Sequence, residues 1–248
     1  SAYITYELGC NESYGFDNSN LKYAYKHLVE YKVEHHEVQR NLALIGENIE
    51  GESWKIRPEI SIDEVTERNV NTFITHNQLE DGFISIAPGS VWNTKRYPKE
   101  KYIELIKLLI DKNETILVIG SEDDSDLCSE ITSHFTNNLI NIAGRFRVIE
   151  TIYLLRNSKL LITNDSAPTH MGMCVDIPVL TIYCSTIKKF GFYPYNKKSQ
   201  TISFDELDCK PCGIHGYSEC PLGTFDCGNN LMPETIFLTA QKMLSTNE

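Results

Sequence analysis

The feature that most restricts how this chain can fold is an alternation that begins after Gly82. Five short β-rich runs, at residues 83–87, 115–119, 139–142, 160–163 and 179–183, are separated by helical patterns at 99–112, 125–135, 148–157 and 169–175. Strands of that length alternating with helices of that length predict an α/β fold with a parallel, doubly wound, Rossmann-like sheet. In such sheets ligands sit at the carboxyl ends of the strands.

What precedes Gly82 is different in kind. Residues 1 to about 50 are rich in Tyr, His and charge, with a short strand expected at Tyr14-Gly15-Phe16-Asp17. A helix is expected over 33–45, where Val38, Leu42 and Ile45 share one face. The segment has no sheet-sized set of strands and reads as the remainder of a domain. A charged connector follows, with Trp54, Pro58, an extended Pro58-Glu59-Ile60-Ser61-Ile62 and a helical stretch at 62–73. We place the boundary near Asp81-Gly82, giving a partial N-terminal α/β domain over 1–81 and a C-terminal domain over 82–248.

The strand-end rule selects four loops. The fourth is the most distinctive, because the run 160–163 passes straight into Asn164-Asp165-Ser166-Ala167-Pro168-Thr169-His170. Asn, Asp and Ser are helix N-cap types, and Pro168 sits where a first-turn proline is tolerated. The first N–H groups of a helix are unpaired and its dipole is positive there, so an anion can bind. The spacing predicts Ser166, Thr169 and His170 on one face beside that anion. The loop after the first run holds Gly89, Ser90, Asn93, Thr94 and Lys95, the last a mobile cation able to neutralise a diphosphate. The loop after the second offers Asp124 or Glu122 to ribose hydroxyls, and the third contains Ala143-Gly144-Arg145. Each residue also has an ordinary reading as a cap, a solvated pair or a turn glycine; their common location favours a nucleotide diphosphate pocket.

Composition narrows the partners. The 248 residues are 41% hydrophobic and 23% charged, enough to bury a full core, and the net charge is -11. An acidic chain is not expected to bind nucleic acid or an anionic membrane generally, since both require a basic surface. No run of about 18 apolar residues predicts a transmembrane helix, and no signal peptide is visible. The expectation is a cytoplasmic protein, and the start at Ser1-Ala2-Tyr3-Ile4 reads as the middle of an element, so the chain is expected to be a piece of something longer.

At this point the motifs carry a resemblance. Ile86-Ala87-Pro88-Gly89-Ser90, Lys95-Arg96-Tyr97-Pro98, Ile119-Gly120-Ser121, Asn141-Ile142-Ala143-Gly144 and Thr163-Asn164-Asp165-Ser166-Ala167-Pro168-Thr169-His170, in that order, resemble the nucleotide-sugar domain of glycosyltransferase family nine, the heptosyltransferases. Tyr14-Gly15-Phe16 and His36-Glu37-Val38 extend the likeness weakly toward the N-terminus. The resemblance implies a GT-B architecture, two Rossmann-like domains facing a cleft, and transfer of heptose from an ADP-sugar to lipopolysaccharide inner core. The implied partners are a nucleotide-sugar donor and a lipid-linked glycan acceptor at the inner membrane surface, which would put the protein at that membrane's periphery.

By position, the resemblance makes Lys95 and Asp165 the catalytic pair, with Lys95 on the diphosphate. Ser90, Asn93, Thr94, Asp124, Ser166, Ala167 and His170 become donor contacts. No catalytic cofactor is implied, since Lys95 and the helix N-terminus can stabilise the departing diphosphate, work that some transferases give to a divalent metal. Two departures stand out: Ala167 replaces the usual Gly, and Cys184-Ser185 replaces Gly-Pro. The family's first strand, acceptor loop and proposed general base are not found in the chain. Two other readings therefore stay open, a non-catalytic nucleotide-sugar-binding remnant and a nucleotide-sugar epimerase of the same architecture.

Eight cysteines are present. Cys10, Cys128, Cys174 and Cys184 are scattered, whereas Cys209, Cys212, Cys220 and Cys227 crowd into 209–227. One C-x-x-C followed by two further Cys, in a chain without an export signal, suggests a structural tetrathiolate zinc site, with His215 as a substitute ligand. Reduced thiols and disulfides remain alternatives.

Overall fold

A computed structural model describes residues 2–246. The chain divides into two compact units, Ser1–Ile56 with Lys189–Phe192, and Arg57–Lys188 with Tyr193–Glu248.

The smaller unit contains α1 (Ala2–Glu7), β1 (Tyr14–Phe16), β2 (His27–Val29) and α2 (Glu37–Leu44), with β1 and β2 paired in parallel. The helix expected from residue 33 begins only at Glu37. Its cap is His36, whose Nδ1 accepts the Val38 N–H at 3.1 Å, while Gln39 Oε1 accepts the His36 N–H. The carbonyls of Lys32, Val33 and His35 point instead to the buried guanidinium of Arg40, so they cannot enter a helical ladder.

The larger unit opens with α3 (Glu64–His76), capped by Asp63, whose Oδ1 accepts the Thr66 N–H at 2.7 Å. From there strands and helices alternate: β3 (Phe83–Ala87), α4 (Lys99–Ile110), β4 (Ile116–Val118), α5 (Ser125–Thr132), β5 (Leu139–Asn141), α6 (Val148–Leu155), β6 (Ser158–Asn164), α7 (Ala167–Cys174), β7 (Val179–Tyr183), β8 (Gln200–Ser203), α8 (Asp226–Asn229) and α9 (Pro233–Thr246). The six strands are all parallel, in the order β5-β4-β3-β6-β7-β8. The expected doubly wound sheet is present, with each predicted run and helix found to within a few residues.

Successive side chains of a strand point to opposite faces, and the core follows that period. Ile84, Ile86, Leu160 and Ile162 pack with Tyr102, Ile106 and Leu109 of α4 and Ala240 of α9. Phe83, Leu117, Leu161 and Val179 pack on the other side with Phe73 of α3, Leu154 and Leu155 of α6 and Met173 of α7. Burial on both faces is why these strands read as nearly unbroken apolar runs.

Two differences from the sequence reading follow from packing. Helix α3 lies before the expected boundary at 81, yet it buries Val70, Phe73 and Ile74 on the sheet unit, so the units divide at Ile56 and Arg57. Strand β8 and helix α9 are additional elements, and α9 buries Ile236, Ala240 and Met243, a helical spacing, against the face that holds α4. Among the described residues, no helix is long and apolar enough to cross a membrane.

Candidate functional site

Strands β3, β4 and β5 are laid down in one direction across the sheet and β6, β7 and β8 in the other, so the order reverses between β3 and β6. Crevices at such reversals are where doubly wound sheets bind ligands. The loops that leave β3 and β6 at this point are the two that carry Lys95 and Asp165.

Asn164, the last residue of β6, is fully buried and joins those loops. Its Oδ1 accepts the Tyr97 N–H and the Tyr102 hydroxyl, both at 3.0 Å, and its Nδ2 donates to the carbonyls of Pro88 at 2.8 Å and Gly89 at 3.3 Å. With the backbone fixed, the Lys95 ammonium reaches Asp165, Nζ to Oδ2 at 2.8 Å. The same oxygen accepts the hydroxyl of Thr186, 2.7 Å away and fully buried. The side chains of Lys95 and Asp165 are only 13% and 8% exposed, so the pair is held in a low-dielectric pocket where its charges act strongly.

Ser166 occupies the N-cap position of α7, but no side chain caps the first turn; its hydroxyl faces Thr163 Oγ1 and the Asn164 carbonyl at 3.3 Å. The first turn therefore keeps its capacity for an anion. His170 lies at the surface on the second turn. Crowding by neighbouring atoms lowers its pKa, Asp165 opposes that shift and Lys95 reinforces it. Thr169 does not share this face. It is buried, with its hydroxyl against the Asn164 carbonyl and Thr181 Oγ1, because β7 covers that side of α7.

A cavity of about 490 Å³, within the roughly 300–1,000 Å³ usual for small-molecule sites, opens at the same strand ends. Its lining includes the polar Ser90, Arg96, Asp124 and Ser166, the small Gly89 and Ala167, and an apolar wall of Ile119, Phe146 and Met171. Phe146 and Met171 were not anticipated, because a lone apolar residue, in the loop before α6 or on α7, carries no signal before the fold is known. The Asp124 carboxylate is anchored by the Ser121 N–H at 2.9 Å and hydroxyl at 2.7 Å. Gly89 allows it to sit there, since a Cβ on that residue would lie 2.1 Å from Asp124 Oδ1. Ser90 accepts Arg96 Nε at its carbonyl, at 2.7 Å. Asn93 is exposed in a short turn with Thr94 and Lys95. Thr94 is buried and its hydroxyl is engaged by the Tyr217 backbone rather than directed into the cavity. Thr186 also escaped the sequence reading, although it follows β7 and the strand-end rule applies to that loop as well.

Among the described residues no group of three or more His, Cys, Asp or Glu side chains is placed to hold an ion, and all eight cysteines are free thiols. Cys227 is buried in the core beside α9 and burial pushes its thiol up to about 11, whereas Cys209 is exposed. Around Cys220 burial raises the pKa, but the backbone N–H groups of Phe225, Leu222, Gly223 and Thr224 bring it below the ordinary value. Cys209, Cys212 and Cys220 each act electrostatically on the Cys227 thiol, so the four thiols stay near one another although their exposure differs.

The sequence profile of glycosyltransferase family 9 (heptosyltransferase) matches residues 1–220. The chain belongs to that family. Lipopolysaccharide heptosyltransferase 2 of Salmonella typhimurium is 28% identical over 170 residues, 66% of this chain and 45% of the relative. Among solved structures, E. coli ADP-heptose lps heptosyltransferase II aligns at TM-score 0.74 and 20% identity, covering 99% of this chain and 73% of the other. The family 9 glycosyl transferase from Veillonella parvula aligns at TM-score 0.81 and 17% identity, over 99% and 70%. These likenesses show the GT-B-like fold of the family. The chain spans about half or less of the length of the curated relatives that it matches.

Proposed function

We propose that this family 9 chain carries the donor side of a heptosyltransferase, which moves heptose from an ADP-sugar to lipopolysaccharide core or a related surface glycan. The relatives above are named for that transfer. The observation that carries the reading is the buried Lys95–Asp165 contact at the β3–β6 reversal, next to the uncapped start of α7 and the 490 Å³ cavity.

In the reaction the bond from the anomeric carbon to the diphosphate breaks, and the acceptor hydroxyl oxygen forms the new bond as it gives up its proton. Negative charge grows on the departing diphosphate. Lys95 and the first turn of α7 offset that charge, and Asp165 with Thr186 fixes the ammonium beforehand, which lowers the reorganisation needed in the transition state. With that positive charge in place the transfer needs no catalytic metal. Ser166, Ala167 and His170 line the path of the phosphates and sugar, while Ser90, Asp124 and the Phe146–Met171 wall take the ribose and base.

The sheet unit then serves the donor, and the smaller unit belongs to the acceptor side. Work on a lipid-linked acceptor places the protein in the cytoplasm, at the periphery of the inner membrane. Calorimetry with ADP, UDP, GDP and an ADP-sugar tests the reading. ADP binds, and Lys95→Ala weakens it by about tenfold to a hundredfold, as loss of a charge-assisted contact should. No affinity for any of the nucleotides would remove the proposal.

A further inference from the structure

The segment that carries the clustered cysteines makes contacts that a thiol-based account leaves unexplained. Thr94, the residue before Lys95, has every polar atom engaged. Its N–H and its hydroxyl each lie 3.1 Å from the Tyr217 carbonyl, and the Tyr217 N–H donates back to the hydroxyl oxygen at 2.8 Å. Its carbonyl accepts the Ser185 N–H at 3.2 Å, and the Ser185 carbonyl accepts the Cys212 N–H at 2.9 Å. Ser185 is in turn the residue before Thr186. The two side chains that meet on Asp165 Oδ2, those of Lys95 and Thr186, are thus each next to a residue held by the strap 212–217.

Gly216 is the point of closest approach. Its φ is +78°, and a Cβ there would lie 2.9 Å from Thr94 Oγ1, 3.0 Å from Ser185 Oγ and 3.4 Å from Lys95 Cγ. Neither hydroxyl has room to retreat, since Thr94 is 3% exposed and Ser185 1%. Gly213, in the same strap, has nearly the same conformation, φ +80°, but a Cβ there meets only the Tyr217 hydroxyl at 3.8 Å. An alanine at either position carries the cost of a left-handed backbone. Only the one at 216 also pushes on the loop that presents Lys95.

We propose that Gly216 and Tyr217 position Lys95 for the donor diphosphate, acting through Thr94, so that Gly216 is a positioning residue of the site. This rests on the reading of Lys95 as the diphosphate contact, and the test keeps the two apart. The 248-residue chain is compared with its Gly216→Ala and Gly213→Ala variants. The first readout needs no ligand: the rate at which N-hydroxysuccinimidyl acetate acetylates Lys95, followed by peptide mass spectrometry with exposed Lys112 as internal reference. Gly216→Ala speeds the reaction at Lys95 several-fold, whereas Gly213→Ala leaves it within about twofold of the parent, because a shifted ammonium loses its buried partner. Equal rates in the two variants would overturn the proposal.

The second readout is ADP affinity by calorimetry. Gly216→Ala weakens it about tenfold or more, as small misplacements of a binding group do, and adds no loss to Lys95→Ala. An additive loss would mean that Gly216 acts on stability alone and would overturn the proposal. If the parent chain does not bind ADP, the donor reading fails, and the acetylation rates still decide whether the strap positions Lys95. Should Gly216→Ala not fold, Thr94→Val and Thr94→Ser replace it. Val removes the hydroxyl that joins Tyr217 and raises Lys95 reactivity, while Ser keeps that bond and most of the protection; equal behaviour would overturn the proposal.

Discussion

The side-chain oxygen of Asn164 lies 3.0 Å from the backbone nitrogen of Tyr97, a bond buried at the end of β6 that fixes the far end of the loop carrying Lys95. Because the same amide also holds the carbonyls of Pro88 and Gly89 at the loop's start, one side chain spans the whole excursion from β3. The Lys95–Asp165 contact depends on this bridge as much as on its own charges.

Asn164→Ala leaves buried donors and acceptors on both sides of the bridge without partners, including the hydroxyl of Tyr102. Each such group costs about 1–3 kcal/mol, so a loss of roughly 2–4 kcal/mol in urea unfolding is expected, with looser nucleotide binding. A loss within roughly 0.5 kcal/mol, the range of an ordinary surface substitution, would show that the bridge does not hold the loop.

Gly89→Ala sets a methyl group 2.1 Å from Asp124 Oδ1, so the carboxylate must leave its Ser121 anchor. Overpacking of this kind costs typically about 1–3 kcal/mol. In Asp124→Ala the obstacle is gone, and adding Gly89→Ala there should cost about 1 kcal/mol less than in the parent. Strict additivity of the two unfolding free energies would contradict this geometry.

The pKa of His170 is lowered from the ordinary imidazole value, because crowding by neighbouring atoms outweighs the opposing Asp165 carboxylate and Lys95 adds to the lowering. A histidine whose folded pKa is depressed binds fewer protons folded than unfolded. Its contribution to stability is fully present above the unfolded value and is lost as pH falls through the folded one. The ring C–H resonance of His170 should show a midpoint below that of a free side chain, and His170→Gln should flatten the acid limb of stability against pH. A midpoint at or above the free value would contradict the packing around the ring.

Thiol reactivity separates the eight cysteines. Thiolate is the reactive form, so exposed Cys10 and Cys209 and the low-pKa Cys220 should be alkylated first by iodoacetamide. Cys128, with burial pushing its thiol up to about 12, and buried Cys184 and Cys227 should react only on unfolding. Joint protection of Cys209, Cys212, Cys220 and Cys227 that a chelator abolishes would instead show the metal centre that their spacing suggests.

Much of this was written in local order. The runs Phe83–Ala87 and Val179–Tyr183 were legible to the residue, since a strand buried on both faces leaves an unbroken apolar signature, and the junction at Asp165 announced itself through its cap residues. The spacing of Ile236, Ala240 and Met243 was equally periodic, and α9 could have been read from it. In contrast, nothing local distinguishes Thr94 from Thr169, or Thr186 from any other threonine after a strand.

The sequence by itself determined the parallel sheet, the helices between its strands and the two loops that bear Lys95 and Asp165, because periodicity and capping act over a few residues. Tertiary structure alone decided which hydroxyl meets Asp165 and that Thr94 belongs to Tyr217 more than 120 residues away. Those outcomes depend on which distant segments share a strand end, and that is settled only when the whole core packs.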